Sequence, residues 1–378
     1  MTYRCHLAIL GGGCAGLSVA SRLIKRGYDK PMIIVEPRQE YLGDRTWSFW
    51  AADSSADRHL VHKKWKSWVF SKAGRCVQHS GFALSYQQIR AIDFYKDNLA
   101  CLKGKQNVSF WQGAQAGPPN EQSGYVGIET SMGQIHADYV VDTRPRHTDT
   151  DVSKVWQVFS GGDVELTEDS FDPTAAQIMT NMISDSSGLK FTYVLPHSPR
   201  HALVQTTRFA PARIDPFRLD LEFRRDLADL TKGKFTVKRW ERGCLPMGQA
   251  PLELQPGSRT ILAGQANGAL RPATGYGFLP IQEWAFGFAK AFASGDYDLA
   301  KSVPVAQKST KDHIFLRAFL ADPSASSDWF ISIAEHLSGD EFGRFISQKP
   351  GVGIWAKVIW SLPKKPFLRS VLETGMHD

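Results

Sequence analysis

The chain has 378 residues, 42% of them hydrophobic and 22% charged, with a formal net charge of +7. That length suits two domains and a core large enough for enzymatic work, while no stretch approaches the roughly 18 uninterrupted apolar residues of a membrane span. The five cysteines (Cys5, Cys14, Cys76, Cys101, Cys244) form no CxxC and no Cys/His cluster, which argues against a disulfide framework or structural zinc; basic residues are mostly dispersed and form no nucleic-acid module. The first five residues run straight into an apolar strand with no room for a signal peptide, so a cytoplasmic location is expected.

The apolar run His6-Leu7-Ala8-Ile9 leads into Leu10-Gly11-Gly12-Gly13-Cys14-Ala15-Gly16-Leu17, and a helical pattern follows to Lys25-Arg26-Gly27. This is a GxGxxG fingerprint in a strand–turn–helix setting. Gly11 permits the tight turn, Gly13 admits a pyrophosphate, Gly16 allows close helix packing, and Cys14 and Ala15 lie at the helix start. The phosphates would meet the free N–H groups of the helix N-terminus. Ile33-Ile34-Val35 reads as a buried parallel strand that ends in Glu36, 20 residues after Gly16. An acid there binds ribose hydroxyls and disfavours a 2′-phosphate.

A loop-rich stretch spans Leu42 to Asp53, and a helix is expected near Tyr86 to Leu99. Tyr139-Val140-Val141-Asp142 reads as a strand ending at a sheet's carboxyl edge, where ligands collect. Phe191 to Leu195 and Ala202 to Thr207, joined by Pro196-His197-Ser198-Pro199-Arg200, form a hairpin pattern. The chain then returns to the first domain through Thr260 to Gly268, a strand breaking into a glycine-rich loop. After Arg271 to Gly277 comes a helical run, Ile281 to Phe292, and helical patterns continue to the end. From Ile354 to Arg369, tryptophans and aliphatics interleave with lysines, as in interfacial segments, although a docked terminal helix has the same look.

Several segments together resemble the bacterial lycopene cyclase family of flavoproteins. They are Asp44 to Trp50 (Asp-Arg-Thr-Trp-Ser-Phe-Trp), Val141 to Pro145, the hairpin with Tyr193-Val194-Leu195-Pro196 and Ser198-Pro199-Arg200, Glu241 to Met247, Pro272-Ala273-Thr274-Gly275-Tyr276, and Asp312 to Phe319. The resemblance implies an α/β fold: a Rossmann-type FAD-binding domain (1–150 and 255–300), an inserted antiparallel β-sheet substrate domain (151–254) and C-terminal helices (301–378). It assigns cofactor contacts to Gly11, Gly13, Cys14, Ala15, Gly16, Glu36, Arg45, Thr46, Asp142, Gly264, Pro272, Thr274, Gly275 and Tyr276. It also implies reduced FAD, with NAD(P)H or a reductase partner as the electron source, a hydrophobic isoprenoid or polyene substrate, and peripheral contact with the inner face of a membrane.

Cyclising a polyene end group needs an acid to protonate a terminal double bond, a shielded cation and a base. The family's essential glutamate, on the second hairpin strand, falls on Gln205, and a second acid falls on Thr180. An amide cannot protonate an alkene. Three readings stay open: diverged chemistry such as oxidation, hydroxylation or cyclisation of another prenylated or polyene substrate, a displaced acid with Glu283 or Asp185 as candidates, or a non-catalytic FAD and lipid binder. Trp47, Phe49 and Trp50 are candidates to line an apolar channel or stabilise a cation, or are simply core. The reaction face is therefore assigned to Gln205, Thr180, Glu283 and Trp47.

Overall fold

The structure, a computed structural model, describes residues 1–42, 45–54, 57–145, 155–231, 234–248, 258–304, 310–347 and 350–375. Strand β1 (Thr2–Leu10), helix α1 (Cys14–Lys25) and strand β2 (Met32–Glu36) open the chain. They are followed by β3 (Thr46–Ala51), β4 (Val61–Trp65), β5 (Ser67–Lys72), β6 (Arg75–Ser80), β7 (Ser85–Arg90), α2 (Ala91–Leu102), β8 (Val108–Gln112), β9 (Asn120–Glu121), β10 (Val126–Thr130) and β11 (Gly133–Asp142). Next come β12 (Val155–Leu166), β13 (Ala175–Asp185), β14 (Gly188–Pro196), β15 (His201–Ala210), α3 (Asp220–Thr231), β16 (Phe235–Met247) and β17 (Thr260–Leu262). The remainder is helical: α4 (Phe278–Ala293), α5 (Tyr297–Ser302), α6 (Thr310–Ala321), α7 (Ser326–His336), α8 (Gly339–Ile346), α9 (Val352–Ser361) and α10 (Lys364–Gly375).

The first sheet runs β8-β2-β1-β11-β10-β9, with β17 also on β11. Its β8, β2, β1, β11 and β17 pairings are parallel. Leu7 and Ile9 pack under α1 and α4, while Ala8, Leu10, Ile33 and Val35 enter a second core on the opposite face. Burial on both faces explains why these strands read as continuous apolar runs. The second sheet, β16-β12-β15-β14-β13-β5-β6, is antiparallel except where β13 meets β5. It therefore draws two strands, β5 and β6, from the early part of the chain.

A third sheet, β3-β7-β4, stands where the sequence suggested a loop before Asp53 and a helix from Tyr86. Thr46–Ala51 is a strand, and the helix starts only at Ala91. Residues 85–89 are buried without a break, and the Gln87 side-chain amide donates to the Ala51 carbonyl (3.1 Å). Tertiary packing on both sides overrides local helical preference here.

Candidate active site

The turn after β1 has the geometry of an anion cradle. Gly11 sits at φ +100°, and a Cβ there would lie 2.6 Å from the Thr143 hydroxyl. A Cβ on Gly16 would lie 1.9 Å from the Gly11 carbonyl oxygen, so only glycine lets α1 approach the turn. Gly13 caps α1 without any side-chain hydrogen bond, and the first turn carries no acid. A Cβ on Gly13 would meet nothing nearer than the Arg38 guanidinium at 3.8 Å, leaving open space in front of the helix N–H groups. That is what a pyrophosphate requires. Glu36, buried at the end of β2, accepts from the Gly12 N–H (2.7 Å) and from the Arg38 N–H (2.9 Å) and Nε (2.7 Å), so its carboxylate stands beside the turn.

One cavity of about 1010 Å³ takes in this cradle and a largely aromatic chamber under the second sheet. Gly11, Gly13 and Glu36 line it, and so do Phe70, Phe191 and Trp355. Where the two regions meet stands Glu241 on β16. The Gln205 side-chain N–H donates to Glu241 Oε2 (2.9 Å), the Thr46 hydroxyl donates to Oε1 (2.7 Å), and Arg239 Nη2 lies 2.7 Å from Oε1. Arg239 also donates through Nε to Asp163 (2.9 Å). One guanidinium thus serves two carboxylates, a cluster of net charge −1 when both are ionised. The Glu241 side chain is 5% exposed and that of Asp163 23%, so the cost of desolvating a charge falls mainly on Glu241. Burial pushes its carboxyl above the ordinary glutamate range against the pull of Arg239 and the Thr46 hydroxyl.

Three further hydroxyls converge on the cavity: Tyr86 lies 2.8 Å from Tyr193 and 3.1 Å from Tyr276. Burial pushes all three phenols up, Tyr276 to about 12, so at neutral pH they are donors and not phenolate bases. The Trp50 ring packs on Tyr86 at 4.4 Å, which places electron-rich faces beside the chamber.

Of the residues assigned from sequence, Gly11, Gly13, Cys14, Ala15, Glu36, Arg45, Thr46, Trp47, Gln205, Gly264, Thr274, Gly275 and Tyr276 all line this cavity. Gly264 and Gly275 take left-handed backbone, at φ +64° and +71°. Others act indirectly. Gly16 packs the helix, and Asp142 spends its carboxylate on the Arg144 N–H (3.1 Å), Nε (2.9 Å) and Nη2 (2.6 Å), so Arg144, not Asp142, reaches the cavity. Pro272 lies in the loop without lining the cavity; the Arg271 N–H donates to the Tyr276 carbonyl (2.8 Å) to close that loop.

Two assignments to the reaction face are corrected. Thr180 is buried within β13, where its hydroxyl donates to the Thr192 carbonyl (3.1 Å); it joins strands and does not line the cavity. Glu283 is exposed on α4, and the alternative acid Asp185 is exposed at the end of β13, where it accepts from Ser187. Neither lines the cavity. Asp44 lies outside the described residues. The acid that does face Gln205 is Glu241, which the sequence showed only as the first residue of a Glu-x-Gly segment. Its signal was the alternation along β16 that turns Arg239 and Glu241 to one face.

The chain matches the family model described as lycopene cyclase protein over residues 6–322. A lycopene beta-cyclase of Pantoea ananas is 25% identical over 291 residues, covering 73% of this chain and 71% of that protein. A lycopene beta-cyclase of Pseudescherichia vulneris is 25% identical over 318 residues, covering 80% and 76%. Among solved structures, a geranylgeranyl bacteriochlorophyll reductase-like protein from Thermoplasma acidophilum superposes with a TM-score of 0.67 at 14% identity, over 99% of this chain and all of that one. The flavin-dependent brominase Bmp2 gives 0.62 at 14% identity, over 99% and 100%. At such identity the structural likeness speaks for the fold.

Proposed function

The chain belongs to the lycopene cyclase protein family, and from that premise we propose that it is an FAD-dependent enzyme closing the end group of a long hydrophobic polyene, with Glu241 as the acid. The observation that carries this reading is the hydrogen bond from Gln205 to Glu241 inside the cavity that also holds the dinucleotide cradle. The glutamate expected on β15 is absent, yet the Glu241 carboxyl, its proton affinity raised by burial, accepts at 2.9 Å from the amide that replaces it. That acid stands two strands away, on β16 across β12, and faces the same cavity.

FAD would be held by Gly11, Gly13 and the α1 N-terminus at its pyrophosphate, by Glu36 at its ribose, and by the Gly264 and Thr274–Tyr276 loops nearer its ring system. Bound and reduced, it would supply an electron-rich neighbour for positive charge. The remaining work falls to this chain's own side chains. Thr46 and Arg239 hold Oε1 of Glu241, and Gln205 holds Oε2, so the carboxyl is fixed while its proton is transferred to the terminal alkene carbon. The tertiary cation that results lies among the rings of Trp50 and Tyr86, and the apolar wall excludes water that would trap it. The ring forms when the neighbouring double bond attacks the cation. Loss of a proton from the adjacent ring carbon to the Glu241 carboxylate restores the acid, so the reaction consumes no electrons.

A second reading, flavin-dependent oxygenation of a prenylated or polyene compound, is favoured by the amide at 205 and by the fold shared with flavin-dependent enzymes. The two separate in one experiment: photoreduced FAD protein, anaerobic, with dispersed lycopene as the probe polyene and chromatography of the pigments. Cyclic products from the parent and none from Glu241→Gln, with equal bound flavin, are expected. Product formation that requires oxygen and a stoichiometric reductant would favour the second reading instead.

A further inference from the structure

We infer that Asp163 and Arg239 are positioning residues for the acid: Asp163 draws away half of a guanidinium that would otherwise hold the Glu241 carboxyl ionised. A carboxyl that must give a proton to carbon has to hold that proton first. An opposite charge in contact favours the carboxylate about ten- to a thousandfold, and Arg239 Nη2 lies 2.7 Å from Glu241 Oε1. Left to itself, that contact would disarm the acid.

The guanidinium geometry shows how this is avoided. The Nε and Nη2 atoms form one edge that fits both oxygens of a single carboxylate. Three residues further along the same strand, Arg242 uses its edge in that way, donating to the two oxygens of Asp220 from Nε (2.9 Å) and Nη2 (2.8 Å). Arg144 grips Asp142 likewise, at 2.9 and 2.6 Å. Arg239 instead divides the edge: Nε donates to Asp163 Oδ2 (2.9 Å), and only Nη2 reaches Glu241. Each carboxylate receives one contact in place of two.

The backbone is built for this division. Strands β12 and β16 shift register between Asp163 and Val164, which leaves Lys238 without a partner on β12. Val237 and Trp240 pack with Phe223 in the core under α3, whereas Arg239 pairs with Glu241 on the other face. In an unbroken strand Val237 and Arg239 would share a face. The extra residue turns Arg239 over to Glu241 and sets it directly opposite Asp163, a re-aiming of the kind that bulges provide beside active sites.

Among the described residues, Arg239 is the cation within ion-pair distance of Asp163. Facing Asp163 from the neighbouring elements are His62 on β4 and His197 and His201 at the β14–β15 turn. Lys63 donates to the His197 carbonyl (3.4 Å), and Arg90 and Asp93 stand beside His62. Burial lowers His62 and holds His197 at about 4, so neither imidazole bears charge at neutral pH. On the Glu241 side stand Gln205, Thr46 and Tyr193, whose phenol burial keeps protonated. The proton on Glu241 is therefore governed by how one guanidinium is shared between two carboxylates.

The use of this sharing in ring closure rests on the polyene reading, whereas the sharing itself does not, so the carboxyl is followed without substrate. In the FAD-loaded full chain, glutamate is labelled with 13C at its side-chain carboxyl, and the Glu241 resonance, identified by its loss in Glu241→Gln, is titrated with pH. Asp163→Asn, which keeps shape and removes charge, should raise the proton dissociation constant of Glu241 at least about tenfold. Arg239→Gln should lower it by a similar factor, and the double variant should fall between the two. The falling limb of kcat/KM with lycopene should move with the same signs. An Asp163→Asn protein in which Glu241 titrates as in the parent overturns the inference, as do two single variants that shift in the same direction, the mark of disturbed packing. Opposite shifts in a protein that forms no cyclic carotene would uphold the sharing and overturn the polyene reading instead.

Discussion

Gly13 and Gly16 look alike in the sequence, yet the structure gives them different tasks that substitution can separate. Gly16→Ala places a methyl 1.9 Å from a backbone oxygen, so the turn itself must shift. Gly13→Ala meets no protein atom within 3.5 Å, and the backbone there has φ −83°, which alanine adopts without strain. The Gly13→Ala protein should therefore melt as the parent does and bind FAD at least about tenfold more weakly, by fluorescence titration, because its methyl occupies the space of the pyrophosphate. Unchanged FAD affinity would remove the cradle assignment. Glu241 yields a prediction in pH. Burial holds its carboxyl above the ordinary glutamate range, and the proposed mechanism uses the acid form, so kcat/KM should be flat at low pH and fall as pH rises through that raised value. Gln205→Glu adds a second carboxyl on the same hydrogen bond; two carboxyls sharing a proton push one titration higher, so the falling limb should move to higher pH.

Among the elements, the Rossmann half was the most legible. β1, α1, β2 and Glu36 appear as expected because hydrophobic runs, glycines and a strand-terminal acid all specify the same local structure. The β14–β15 hairpin is as readable, since its proline-bearing turn fixes the register that sets Tyr193 opposite Gln205. The small sheet was not readable. Tyr86 to Ile89 become strand through contacts with β3 and β4, partners 21 to 42 residues away that no local pattern announces. Gln205 was identifiable as a departure, but its replacement was not, because Glu241 and Gln205 meet across β12 only after the sheet has formed.

The segment Asp312 to Phe319 was seen as a motif without a reason, and the structure supplies one. Arg271 and Asp312 are paired at 3.0 Å, almost fully buried, and Arg271 also donates to the carbonyls of Phe345 (2.6 Å) and Ile346 (3.1 Å). The pair ties the Pro272–Tyr276 loop to α6 and α8. Asp312→Ala leaves a buried guanidinium unpaired and should destabilise the protein by about 3–5 kcal/mol in urea unfolding. A loss below about 1 kcal/mol would mean that the pair is not what fixes the loop.

At the scale of the whole molecule, a parallel sheet supplies a dinucleotide turn, an antiparallel sheet supplies an apolar chamber, and the C-terminal helices close that chamber while leaving a mouth. The two sheets share one cavity, so a cofactor in the cradle and a long apolar molecule in the chamber would meet beside Glu241. That arrangement suits proton transfer to a carbon substrate near a flavin, in a chamber with a mainly apolar lining. It also explains how the chain can lose the expected glutamate at 205 and keep an acid within hydrogen-bond reach. The most direct measurement is anaerobic turnover of lycopene by the photoreduced FAD protein in deuterium oxide, with mass spectrometry of the pigments. Proton delivery from Glu241 predicts one deuterium per ring formed and none in Glu241→Gln; an enzyme with bound, reducible flavin that yields no deuterated cyclic product would contradict it.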